Sequence, residues 1–325
     1  MKRIVSLVLC LMLVLGLAAC GEPESIDLSQ VKANVYALNG PTGMGLVPLM
    51  KDAKEGKGTL DYNISTVAAN DEIVAKVVKG EADIAAVATN LASTLYAKTN
   101  GGIKVLAVNT LGTLSVVTKG EEITKISDLK GKTVYTTGQG ANPEYITNYI
   151  LEKNGLKAGE DVTINFVSQP AELVQVVAKN EKAIVIAPQP VATTITVKNA
   201  DAKVVIDLNK EWEAVSDTKL VMGCIIARNE YIEQNPQAVE AFLKDYEASV
   251  KTVNEASDEI AGLCAEYGIV AAAPIAKKAI PFCNIVFEAG KEMKTDLSAY
   301  LDFLYKANPK SVGGAVPADD FYYEK

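Results

Sequence analysis

The 325-residue chain contains no histidine. That absence excludes nucleophilic sites built on a Ser-His-Asp or Cys-His arrangement, and it removes the commonest ligand of zinc and non-haem iron. Arginine is nearly missing as well: Arg3 sits close to the N-terminus and Arg228 is the only other one. Cysteine is sparse. Behind Cys10 and Cys20 come only Cys224, Cys264 and Cys283, an odd set that argues against a disulfide framework. A Cys264–Cys283 bridge stays open beside the alternative of free buried thiols. Past the first twenty residues, no run approaches the roughly 20 apolar residues needed to span a bilayer. Basic residues are outnumbered, 32 against 40, for a formal net charge of −8, which argues against nucleic acid or an anionic membrane surface as a partner. These absences together lead us to expect no catalytic residue, no cofactor and no stoichiometric transition metal.

What is present begins with the leader. "MKRIVSLVLCLMLVLGLAAC" has a basic start at Lys2 and Arg3, an uncharged apolar stretch, and small residues before a cysteine. That is the layout of a secretory signal, spanning residues 1–19. Its end, Leu17-Ala18-Ala19-Cys20, resembles a lipobox, in which Cys20 is acylated and becomes the first mature residue. An uncleaved signal anchor is the alternative. Either reading puts the bulk of the chain outside the cytoplasm, held to the membrane face through a linker over 20–32. Losing Lys2 and Arg3 takes the net charge from −8 to −10.

Near the mature start, "ANVYALNGPTGMGLVPLMKDA" runs from a short apolar strand into a glycine-rich turn and then a helical pattern. Such turns often hold phosphate through backbone N–H groups and a helix N-terminus. Gly40, Gly43 and Gly45 have the wrong order for a dinucleotide fingerprint. Leu46 and Val47 stand where a Walker loop needs Lys and Ser or Thr. Both nucleotide readings fail, leaving a tight turn whose partner lies elsewhere in the chain.

That partner is a repeat of about one hundred residues. "DEIVAKVVKGEADIAAVATN" (71–90) lies over "AELVQVVAKNEKAIVIAPQP" (171–190) without a gap, so that Glu72, Val74, Val77, Lys79, Glu81 and Ile84 recur at Glu172, Val174, Val177, Lys179, Glu181 and Ile184. Each copy reads as a helix followed by a buried strand. Upstream the offset slips by one, and Val35-Tyr36 before "NGPTG" matches Val134-Tyr135 before "TGQGANPEY". Asn142 as N-cap with Pro143 behind it predicts a helix start there. The order strand, helix, strand, helix, strand, twice over, predicts two α/β lobes with mostly parallel sheets. The apolar stretch from Ile103, a long strand broken at Asn109–Gly112, and "KLVMGCIIARNEY" (219–231) read as two strands joining the lobes at a hinge. The boundaries follow: lobe 1 from 33–112 and 223–325, lobe 2 from 113–222. In open α/β sheets ligands sit beyond the carboxyl ends of the strands, which makes "NGPTGMG" and "TGQGANP" opposite jaws of one cleft.

With these features in place, the chain resembles a type 2 periplasmic solute-binding lipoprotein of an ABC importer. It is similar to the branch that holds sulfonate, taurine, nitrate and thiamine-pyrimidine-precursor binders. The resemblance rests on "KGEADIAAVATN", "NTLGTLSVVTKG", "ITKISDLKGKTVYTTGQGANPEY", "ADAKVVIDLNKEW" and "NPQAVEAFLKDYEASV". It implies an α/β fold of two lobes that close on a small polar solute and deliver it to a membrane permease and its ATPase, the protein acting as a monomer. Carried over position by position, it implies solute contacts at Gly40, Thr42, Gly43, Met44, Asn70, Thr89, Asn90 and Thr110 on one jaw. On the other it implies Thr137, Gly138, Gln139, Asn142 and Gln189. For Thr42, Asn70 and Asn142, helix capping is the competing role. No Lys or Arg stands in these turns, so a family member that grips an anion through arginine is departed from here. Tyr36, Tyr62, Tyr135 and Trp212 are the aromatics available for stacking on a heterocycle. Two other classes remain: a membrane-tethered sensor, and an enzyme on the same fold. The pyrimidine synthase and the menaquinone-pathway enzyme that resemble the chain in outline both lean on histidine, which it lacks.

Overall fold

The structure is a computed structural model that describes residues 26–324. The expected signal at 1–19, the expected acylation site Cys20 and the first part of the expected 20–32 linker lie outside the described residues. Eleven strands follow in chain order: β1 (Lys32–Leu38), β2 (Asp61–Val67), β3 (Ile84–Ala88), β4 (Ile103–Thr110), β5 (Leu114–Lys119), β6 (Thr133–Thr136), β7 (Thr163–Phe166), β8 (Ala183–Pro188), β9 (Ala202–Asp207), β10 (Gly223–Arg228) and β11 (Ile285–Ala289). They form two sheets, ordered β11-β4-β10-β3-β1-β2 and β7-β6-β8-β5-β9.

The sequence repeat reappears as topology. β1 pairs in parallel with β2 and β3, and β6 pairs in parallel with β7 and β8. Register carries the one-residue slip: Tyr36 lies opposite Ala85, and Tyr135 opposite Val185. Each parallel trio is then flanked by an antiparallel strand, β10 from beyond the second unit and β5 from the stretch just before β6. β10 runs antiparallel between β3 and β4, and β5 runs antiparallel between β8 and β9. The first hinge stretch is broken where the sequence indicated, and the second strand starts later than expected. β4 ends at Thr110 and β5 starts at Leu114 in the other sheet, while β10 begins only at Gly223 after an irregular crossing.

Burial explains why the sheets form. β3 and β8 read as near-continuous apolar runs, "IAAVA" and "AIVIAP", and both are covered on the two faces by helices. The helix Gly290–Ala307 spans the two halves, with Met293, Leu297, Tyr300, Leu301 and Leu304 buried along one stripe. Tyr300 and Phe303 pack their rings on fully buried Trp212, at 6.1 and 4.8 Å between centroids. Asn308, just past that helix, donates to the Tyr145 hydroxyl at 2.9 Å. The crossing segment is held by Lys219. Its ammonium lies 2.8 Å from Glu288, 2.9 Å from Glu292 and 2.8 Å from Asp296. Those three carboxylates cluster closely enough to suggest a cation site, and the lysine stands in their midst. Burial works against the Lys219 charge, yet its bonds to Asp296, Glu288 and Glu292 outweigh that and hold its pKa above the ordinary value.

The Cys264–Cys283 bridge that the sequence left open is not made. Both thiols are free and buried, as is Cys224.

Candidate functional site

The carboxyl ends of β1, β2, β3, β6, β7 and β8 open onto one cleft of about 450 Å³ between the sheets. Its size falls in the range of small-molecule pockets. Seven of the residues expected from sequence line it: Gly40, Thr42, Asn70, Asn90, Thr110, Asn142 and Gln189. Six do not. Gly43 is buried, and a Cβ there would stand 2.6 Å from the Leu38 carbonyl oxygen. Met44 is part of the core beneath the turn. Thr89 is buried and donates its hydroxyl to the Val221 carbonyl at 2.8 Å. Thr137 is buried beside the cleft rather than on it, Gly138 packs against the Pro143 ring, and Gln139 points to solvent. The second jaw thus reaches the cleft through Ala141–Pro143 and not through its glycines.

Local structure accounts for the side chains that do arrive. The helix Asn142–Lys153 is capped by Ala141, one residue earlier than expected, and Asn142 makes no capping bond. Its side chain is 3% exposed, and its Oδ1 has no hydrogen-bond partner. A buried amide oxygen without a partner is costly, and in a native protein it calls for a reason. Asn70 likewise follows its cap, Ala69, and does not cap. Thr42 sits inside the short helix Pro41–Met44, whose cap is Gly40 at φ 90°, a left-handed backbone that glycine tolerates. The Thr42 carbonyl accepts from Asn109 Nδ2 at 3.1 Å, and Thr110 donates to Asn109 Oδ1 at 3.1 Å. That pair of bonds ties the first jaw to the end of β4. Opposite, Gln189 accepts from the Thr193 hydroxyl at 2.7 Å, which fixes its amide plane.

The lining is uncharged. Amides and hydroxyls share it with five prolines, Pro41, Pro143, Pro170, Pro188 and Pro190, and no ionisable side chain is among its residues. Pro41, Pro143 and Pro170 fall in first helical turns, where each removes an N–H that would otherwise point into the cleft. The acidic residues of those turns are engaged with backbone: Glu144 accepts from Gly140 N at 2.5 Å and Glu172 from Gln169 N at 2.9 Å. Thinned donors and absent cations make a poor grip for a free anion, despite the helix N-termini that converge there.

The expected aromatic platform is absent from this lining. Trp212 is fully buried, and Tyr62 donates to Asp245 at 2.7 Å while packing edge-on against Phe242. Tyr36 lies beneath the Lys76 ammonium, 5.5 Å from ring centre to Nζ, and Tyr135 packs on the second core. Sequence reasoning missed Met222 and Ile269, which reach the cleft from the crossing segment and the C-terminal third. Thr113 joins the lining from the same crossing as Thr110, which the sequence did place on the cleft. Nothing in local pattern distinguishes these three from core or loop positions.

Comparison with known proteins follows the same outline. The family model described as "Menaquinone biosynthesis" matches residues 58–297. No curated protein matches the chain. Among solved structures, an ABC transporter protein from Parabacteroides distasonis is 22% identical, with a TM-score of 0.77 over 91% of this chain and 99% of that one. The periplasmic aliphatic sulphonate binding protein of Escherichia coli is 14% identical, with a TM-score of 0.72 over 92% and 93%. The periplasmic nitrate-binding protein of Synechocystis is 16% identical, with a TM-score of 0.61 over 87% and 84%. These likenesses show the fold, that of the two-lobed periplasmic binding proteins.

Proposed function

The chain belongs to the menaquinone-biosynthesis family, and from that premise we propose that it captures a solute rather than transforming one. It is an extracytoplasmic lipoprotein, anchored through Cys20, that closes two lobes around a small polar organic molecule and hands it to an importer permease. One observation carries this reading. The cleft lining includes Asn142, whose buried amide oxygen has no partner among the described residues, and no ionisable side chain. Acid–base or nucleophilic chemistry needs a titratable or activated group within reach of the reacting atom, whereas recognition needs only matched donors, acceptors and shape. The binding proteins among the structural neighbours support the same role by analogy of fold. Within the solute classes of that branch, the uncharged lining favours a neutral heterocycle such as a pyrimidine precursor over nitrate or a sulfonate.

The family description favours a second reading, an enzyme of menaquinone formation. One experiment separates the two. The full chain, purified in detergent, is melted with a panel of pyrimidines, purines, sulfonates and nitrate, and each mixture is then analysed by mass spectrometry. A ligand at one hundred times its dissociation constant stabilises by about 2.7 kcal/mol. We expect a neutral heterocycle to raise the melting temperature and to be recovered unchanged. A new product would establish the enzyme reading instead.

A further inference from the structure

A second chamber, of about 660 Å³, opens beside the hinge crossing and shares Thr113 and Gln189 with the first cleft. It is built unlike the first. Its interior carries the hydroxyls of Thr113 and Ser115, residues only 6% and 7% exposed, and neither hydroxyl has a hydrogen-bond partner among the described residues. At its rim stand Lys210, from the helix after β9, and Lys278, from the helix Ala273–Ala279 packed on the other sheet. Neither ammonium is paired with a carboxylate among the described residues. Lys277 beside them is engaged with Asp258, and Asp207 is engaged in capping Asn209 N at 2.9 Å. Phe282, 61% exposed, and Val204 supply an apolar wall.

Two unpaired cations over buried, free hydroxyls are unusual on a chain with a net charge of −8. From this juxtaposition we infer that the chamber is a separate ligand site for a small organic anion bearing a ring or other apolar body, of the kind an aromatic carboxylate represents. The carboxylate accepts from Thr113 and Ser115 under the field of Lys210 and Lys278, and the ring lies against Phe282. This site does not depend on what fills the first cleft.

Its position gives it a consequence. Lys210 and Lys278 approach from opposite sheets, so without an anion their charges repel across the hinge, and with one they are drawn to a common partner. Thr113 and Gln189 line both chambers. An anion bound here therefore contacts both sides of the hinge at residues that the first cleft also uses.

The test uses benzoate as the probe, with benzamide as its uncharged counterpart, titrated by calorimetry into the full chain in phosphate-free buffer. Benzoate is expected to bind, and benzamide to bind about tenfold more weakly, as loss of a charge-assisted contact implies. The Lys210→Gln/Lys278→Gln double variant changes only exposed side chains, so its fold is not at stake, and it should bind benzoate about tenfold more weakly. Lys278→Arg should retain binding, and Asn142→Ala, which alters only the first cleft, should bind benzoate as wild type does. The inference is overturned if benzoate does not bind at millimolar concentration, or if benzamide binds equally well. It is equally overturned if the double variant keeps wild-type affinity, or if Asn142→Ala abolishes benzoate binding.

Discussion

Asn142 sits where a helix start and a cleft wall coincide, and its role turns on a shift of a single residue. Its side chain, read from sequence as an N-cap, is displaced from that role by Ala141, and its amide oxygen is left buried without a partner among the described residues. Replacing it by leucine removes an unsatisfied acceptor, so the melting temperature should hold or rise slightly. Affinity for the cleft solute should fall by the equivalent of about 1–3 kcal/mol, the usual cost of a lost buried hydrogen bond. Calorimetry and thermal melting on the same variant separate these outcomes, and a loss of both stability and binding would make Asn142 structural. Gly43 moves the opposite way. A glycine in a turn between strand and helix reads as room for a ligand, yet here the room is taken by the Leu38 carbonyl. Gly43→Ala should therefore cost about 1–3 kcal/mol of stability by overpacking, seen as a lower denaturant midpoint, instead of acting on binding alone. Residue type located both turns. Which side of each turn faces the cleft is decided by tertiary packing, and that is why Gln139 and Gly138 were expected on the lining and are not on it.

At the level of elements, most of the architecture was legible because the repeat carries it. Two stretches a hundred residues apart share one apolar spacing, and the register of Tyr36 and Tyr135 in their sheets preserves even the one-residue slip. What sequence did not disclose is where β5 and β10 insert in the strand order of their sheets. A strand inserted antiparallel beside a unit has the same buried apolar pattern as a parallel strand of that unit. The crossing segment that leads into β10 is pinned by Lys219, whose partners Glu288, Glu292 and Asp296 lie on β11 and the spanning helix. Burial comes first in raising the Glu288 pKa, while Lys219 pulls it back down. Removing the ammonium in Lys219→Met leaves that half-buried carboxylate uncompensated and should destabilise by about 1 kcal/mol at neutral pH once surface screening is allowed for. The Lys219 pKa is raised, so its contribution is fully present below the ordinary lysine value and fades only as pH climbs through the folded one. On the acid side, protonation of Glu288 relieves the variant. Melting curves of the two proteins should therefore converge as pH falls toward the carboxylate range, and a gap that widened in acid would contradict this assignment.

Across the whole molecule, one apolar core runs from the first sheet through the spanning helix to Trp212 and the second sheet, and the cleft opens beside it. Such a hinge lets a solute stabilise one arrangement of the lobes in proportion to its contacts with both. Micromolar capture corresponds to about −8 kcal/mol; in the proposed reading it is supplied by groups that line the cleft, such as Asn70 and Asn90 on one side and Asn142 and Gln189 on the other. Anchoring belongs to this scale too: Cys20→Ser should abolish fatty-acid labelling of the protein in cells, and labelling that persisted would refute the lipobox. The most direct test of capture by closure is small-angle scattering from the full chain, recorded with and without the heterocycle that stabilises it. The radius of gyration should fall on addition of that solute to the wild type and stay unchanged for Asn142→Leu at the same concentration. A wild-type protein that binds the solute calorimetrically yet scatters identically with and without it would contradict closure of two lobes around the cleft.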